Sequence, residues 1–154
     1  MPMKHDQNLA IVFSGGGARG AYQIGVWRAL QELQISDRIN AVYGTSVGAI
    51  NGAAFIQNDI KLAEDIWQQM DYKNVFADIQ QSIGELNPRK KYYQWIKGTI
   101  ANKGMDVSPL KTRLRDNLDE AIIRKSKKKY GLVAFNLENR KGQYLEKEDI
   151  PEVN

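Results

Sequence analysis

The apolar run Leu9-Ala10-Ile11-Val12-Phe13 stops at Ser14 and three glycines. Its length and branched side chains predict a buried parallel strand. Beyond the glycines, Tyr22, Val26, Leu30 and Leu33 recur at helical spacing and predict an amphipathic helix from about Arg19 to Leu33. Ala41-Val42-Tyr43 is a second short strand that ends in Gly44-Thr45-Ser46-Val47-Gly48, and Ala49 to Phe55 follows as a helix rich in small residues. Strand, glycine turn and helix therefore occur twice in succession, the alternation of an α/β protein with a parallel sheet.

The middle of the chain reads as helical. Leu62, Ile66 and Met70 mark one helix, and Asn87-Pro88 is a start signal for another that carries Tyr92, Trp95 and Ile96. Ser108-Pro109 repeats that signal ahead of Leu110, Leu114 and Leu118 at i, i+4, i+8. Gly131 to Leu137 reads as a buried strand, Asn139-Arg140-Lys141-Gly142 as a turn, and Gln143 to Glu146 as the antiparallel partner. No repeat or low-complexity linker divides the sequence, which predicts one domain over 1–154.

Composition narrows the chemistry. The 154 residues include no Cys and one His, His5, in a polar N-terminal stretch. That excludes a disulfide framework, a thiolate metal site, a cysteine nucleophile and a His-rich metal cluster. It also excludes a Ser-His-Asp triad in the chain order of α/β-hydrolases, whose His follows the Ser. A net charge of +4 is compatible with anionic partners but selects none. Much of the excess lies in Arg124 to Lys129, read as a solvated helix end and loop. The first seven residues contain no apolar signal-peptide core, and no stretch reaches the about 18 apolar residues of a membrane span. The expected setting is the cytosol, with peripheral contact at a membrane surface.

Ser14-Gly15-Gly16-Gly17-Ala18-Arg19-Gly20 is costly in backbone entropy unless the turn needs positive φ or close backbone approach. Such a loop gathers N–H groups beside a helix N-terminus and can hold an anion. A tight structural turn is the plain alternative. As Gly15-x-Gly17-x-x-Gly20 it matches the dinucleotide fingerprint, but the second strand ends in Tyr43-Gly44-Thr45, with no carboxylate for a ribose. As a P-loop it has Ala21-Tyr22 where Lys and Ser/Thr are required. The third reading is an oxyanion hole.

Gly44-x-Ser46-x-Gly48 favours that third reading. A Ser on a sharp strand-to-helix turn is strained, with its Oγ exposed, and the following helix N-terminus stabilises negative charge beside it. The plain alternative is a serine that merely caps the helix.

Gly15-Gly16-Gly17-Ala18-Arg19-Gly20 at the end of one strand, with Gly44-Thr45-Ser46-Val47-Gly48-Ala49-Ile50-Asn51-Gly52 after the next, resembles the patatin-like phospholipases of bacterial type. Met105 to Leu110 and the strand Leu132 to Leu137 resemble later segments of that family. The resemblance implies a three-layer α/β fold with a mainly parallel sheet and serine lipid acyl hydrolysis by a Ser-Asp dyad. Ser46 is then the nucleophile, and Gly15, Gly16 and Gly17, with Arg19 nearby, form the oxyanion hole. Gly20, Gly44 and Gly48 are motif glycines. The substrate is a lipid or other acyl ester, and neither metal, cofactor nor nucleic acid is implied.

The family's catalytic Asp lies in an Asp-Gly-Gly or Asp-Gly-Ala motif, and no Asp-Gly occurs in this sequence. The chain is accordingly read as the N-terminal part of such a domain, truncated before the strand that carries the Asp, and weak or inactive alone. Its sheet is expected to be incomplete on the C-terminal side, with the exposed edge and apolar face covered by self-association or a rearranged tail. A Ser-Lys arrangement is the other chemistry open, although no spacing nominates a lysine. The rival class is a non-catalytic anion- or lipid-binding module that keeps the glycine loop.

Overall fold

The computed structural model describes residues 8–68, 108–136 and 138–151. The helix expected around Asn87 to Ile96, Met70, and the segment Met105 to Val107 lie outside them. The chain forms two compact units, Met1–Trp67 with Leu118–Asn154, and Gln68–Asn117.

In the first unit, β1 (Leu9–Phe13) leads through a short 3-10 turn (Gly17–Arg19) into α1 (Gly20–Glu32). A second 3-10 turn, Ser36–Arg38, precedes β2 (Ile39–Thr45), which leads through Ser46 into α2 (Val47–Gln57) and then α3 (Ile60–Gln68). In the second unit Ser108–Asn117 forms α4, where Asn117 Nδ2 donates to the Arg113 carbonyl at 2.7 Å. Back in the first unit come α5 (Glu120–Lys125), β3 (Lys129–Asn136) and β4 (Lys141–Glu146).

The strands lie in the order β1-β2-β3-β4. β1, β2 and β3 are mutually parallel, and β4 returns antiparallel to β3 with Val133 opposite Tyr144. This is the mixed α/β, mainly parallel architecture that the repeated strand–turn–helix pattern predicts. No helix among the described residues is long and apolar enough to cross a membrane.

One face of the sheet carries the core. Phe13, Val42 and Tyr130 pack against Ile24 and Trp27 of α1 and Ala53 to Ile56 of α2. Trp27, Phe55 and Val42 are the largest apolar side chains fully removed from solvent, and the Trp27 and Phe55 rings meet at 5.0 Å between centroids. α2 is almost wholly buried because its small residues let it lie close against β2. The opposite sheet face exposes Val12, Val133, Phe135 and Tyr144. Within the first unit the described residues thus supply the sheet and the helices on one of its faces.

Three expectations change. The buried stripe of α1 runs through Gly20, Ile24 and Trp27, whereas Tyr22 and Leu33 are exposed. The bulk of Trp27 sets which side of the helix turns inward, and an indole buries more area than either rival. Leu118 lies beyond the end of α4 and packs against the first unit's core, so it does not continue the stripe of Leu110 and Leu114. The basic run is not simply solvated. Lys128 Nζ donates to the carbonyls of Ser36 and Ile39 and lies 5.6 Å from the Phe55 ring centroid. Burial lowers its pKa, and Asp37 opposes that shift.

Candidate functional site

The site is built where the carboxyl ends of β1 and β2 meet the first turns of α1 and α2, the usual place for ligands in an open parallel sheet. Ser46 joins β2 to α2 with φ 54° and ψ −130°, a conformation costly for a residue with a β-carbon. It stands at the N-cap of α2, yet its side chain makes no capping hydrogen bond. Only its carbonyl serves the helix, accepting from the amides of Ala49 at 2.9 Å and Ile50 at 3.4 Å. The capping alternative therefore fails. The residue is exposed, and among the described residues no side chain is hydrogen-bonded to its hydroxyl.

The flanking glycines allow the sharp bend. A β-carbon on Gly44 would run into the Gly48 carbonyl, and one on Gly48 would run into the Phe13 carbonyl at the end of β1. Gly48 therefore lets the first turn of α2 press against the strand end from which the glycine loop departs. As a result the loop and the elbow are adjacent: a β-carbon on Gly15 would stand 3.3 Å from Cβ of Ser46 and 3.5 Å from the Thr45 carbonyl.

Within the loop, Gly16 has φ 154° and Gly17 φ 56°, backbone that only glycine adopts freely. The Arg19 amide closes the 3-10 turn on the Gly16 carbonyl at 3.2 Å. Among the described residues, the amides of Gly15, Gly16 and Gly17 are paired with no backbone carbonyl. They lie at the positive end of α1, beside an exposed hydroxyl at the positive end of α2. The arrangement can accept negative charge next to a serine hydroxyl. Arg19 is exposed, its side chain lying back over Gly16, and among the described residues it makes no ion pair.

Gly20 has a different part. A β-carbon there would stand 2.5 Å from Cζ2 of Trp67, so the motif glycine admits an indole from α3 against the start of α1. Three polar side chains lie in the same place and were not nominated from sequence. Asn51, 2% exposed, donates through Nδ2 to the Gly20 carbonyl at 3.0 Å and to Gln23 Oε1 at 2.8 Å. Trp67 Nε1 donates to Asn51 Oδ1 at 2.9 Å, and Gln23 Nε2 donates to the Ser14 carbonyl at 2.7 Å. The available signal was one Asn inside the otherwise apolar helix Ala49 to Phe55, since a buried amide must find partners.

The basic residues lie elsewhere. Lys127 and Lys129 line a cleft with Asn8, Asp37 and Asn40 at the amino ends of the strands, away from Ser46.

A family model described as Patatin-like phospholipase matches residues 11–154. Lysophospholipase nte1 of Aspergillus terreus is 44% identical over 52 residues, 34% of this chain and 3% of the relative. Patatin-like phospholipase domain-containing protein 7 of Rattus norvegicus is 47% identical over 49 residues, 32% of this chain and 4% of the relative. These matches thus span only a few per cent of the relatives' own lengths. Among solved structures, VipD from Legionella pneumophila superposes with a TM-score of 0.55 at 15% identity, over 92% of this chain and 40% of that one. At that identity the likeness concerns the fold.

Proposed function

The chain belongs to the patatin-like phospholipase family, and on that premise we propose that it carries the nucleophile and oxyanion hole of a lipid acyl hydrolase. Ser46 Oγ attacks the carbonyl carbon of an acyl ester, and the carbonyl oxygen becomes an oxyanion. The Gly15, Gly16 and Gly17 amides receive that charge, with Arg19 adding positive potential from the rim. Collapse of the tetrahedral intermediate breaks the ester C–O bond. The serine proton is delivered to the departing alkoxide, and water then releases the acyl group from Ser46. In the dyad an Asp handles both proton transfers.

The observation that carries this reading is Ser46 itself. It is a non-glycine residue held at φ 54°, its hydroxyl not used by the helix it caps, next to Gly15. The names of the relatives, lysophospholipase and phospholipase domain-containing protein, support a phospholipid-like ester as substrate.

The test is covalent labelling with a fluorophosphonate, followed by turnover of p-nitrophenyl esters and lysophospholipid. Slow labelling is expected at Ser46, because a hydroxyl without its base is a weak nucleophile, and it is expected to be lost in Ser46→Ala. Turnover is expected to be slow, at least about 10²-fold below that of an enzyme with its general base in place. Fast turnover abolished by Ser46→Ala would place a base within these residues. Failure of Ser46 to label would favour the non-catalytic anion- or lipid-binding module.

A further inference from the structure

We propose that Trp67, Asn51 and Gln23 form a positioning relay that sets the direction of the Gly15 amide. The proposal rests on the reading of Ser46 as nucleophile and deepens it by saying how the oxyanion hole is held ready. An indole nitrogen can only donate, so Trp67 Nε1 fixes Oδ1 of Asn51 toward itself. Asn51 must then turn Nδ2 the other way, where it donates to the Gly20 carbonyl and to Gln23 Oε1. With its oxygen so engaged, Gln23 directs Nε2 at the Ser14 carbonyl, 2.7 Å away. One donor-only group thus decides the orientation of two side-chain amides in series.

The last step reaches the proposed site through covalent geometry. The Ser14 carbonyl and the Gly15 N–H belong to one planar trans peptide and point in opposite directions. Anchoring the carbonyl on Gln23 therefore fixes the direction of the Gly15 amide, in the residue that borders Cβ of Ser46. Gly15, on one side of this peptide, has no β-carbon to restrict its φ, so an external anchor is needed if the donor is to be preset rather than found during the reaction. Asn51 is buried and the relay draws on α1, α2 and α3, which makes the anchor rigid. Gly20 is part of the same device, because any side chain there would displace the Trp67 ring.

The test uses Gln23→Glu, which keeps size and the acceptor for Asn51 but has no donor for Ser14 when ionised. Trp67→Phe keeps a ring against Gly20 but removes the donor that orders the series. Fluorophosphonate labelling of Ser46 is expected to slow about 10- to 100-fold in Gln23→Glu, with less loss in Trp67→Phe. The Gly15 amide resonance is expected to shift in both variants, and Trp67→Phe is expected to lower the unfolding midpoint while still folding, because it leaves the buried Asn51 Oδ1 unpaired. An unmoved Gly15 resonance in the variant that folds, or equal labelling rates, overturns the relay. If Ser46 of the unmodified chain does not label at all, the nucleophile reading fails on its own. The Gly15 resonance then still decides whether the relay orients that amide.

Discussion

Ser46 occupies backbone space that glycine tolerates at little cost, so two replacements separate strain from chemistry. Ser46→Ala keeps the β-carbon and the strain. Ser46→Gly is expected to raise stability by about 1 kcal/mol in urea unfolding, because an off-region backbone is relieved, while covalent labelling disappears. A loss of stability would mean that the φ of 54° is not a strained conformation in this setting. Gly48 behaves oppositely. A methyl group there meets the Phe13 carbonyl, with the Ser14 carbonyl at 2.7 Å. Gly48→Ala is expected to cost about 2–3 kcal/mol by chemical denaturation, in the range of overpacked cores. At this scale the glycines and the serine were legible, because a turn's backbone demands are written in adjacent residues. Gln23, Asn51 and Trp67 were not. Their bonds join positions 16 and 28 residues apart, and no local pattern pairs them.

Elements meet at the Tyr130 hydroxyl, which reaches from β3 to donate to the Ala49 carbonyl of α2 at 2.8 Å. Burial pushes its pKa up to about 12. The neutral phenol is therefore favoured in the folded chain. Relative to the unfolded chain, folding holds a proton across the window from pH 10 to about 12. The stability linked to this group is intact below the unfolded value and is lost as pH rises through the folded one, on the order of 2–3 kcal/mol in all. Tyr130→Phe is expected to cost about 1 kcal/mol near pH 8, where a hydrogen bond is missing. Its stability should then fall less steeply than that of the unmodified chain above pH 10. Urea titrations along a pH series measure both, and parallel curves would count against the buried phenol as the source. The four strands and α1 to α4 are legible from apolar runs, helical spacing and start signals, whereas α5, six residues long, is not. Nor is the rotation of α1, because Tyr22 and Trp27 are both aromatic and only contact with Phe55 selects the one to bury.

For the molecule as a whole, the two faces of the sheet differ in a way that the apolar run of β3 alone does not reveal. β3 reads as a continuous apolar run, which predicts burial on both sides. In the structure Tyr130 and Leu132 face the core, while Val133 and Phe135 do not. Register sets what joins them. Thr45 lies opposite Val133, and Val133 opposite Tyr144, so one sheet face gathers side chains from neighbouring strands. Val12 on this face is 74% exposed, Phe135 62% and Tyr144 84%. A connected apolar surface of that kind binds an amphipathic dye in the native state. The chain is expected to enhance anilinonaphthalene sulfonate fluorescence well below its unfolding midpoint, and Phe135→Lys with Tyr144→Thr to suppress most of the enhancement. Because both side chains are already exposed, the unfolding midpoint should move little. Suppression accompanied by a large fall in stability would instead mean that the face is packed in solution, and that its aromatic residues contribute to the fold.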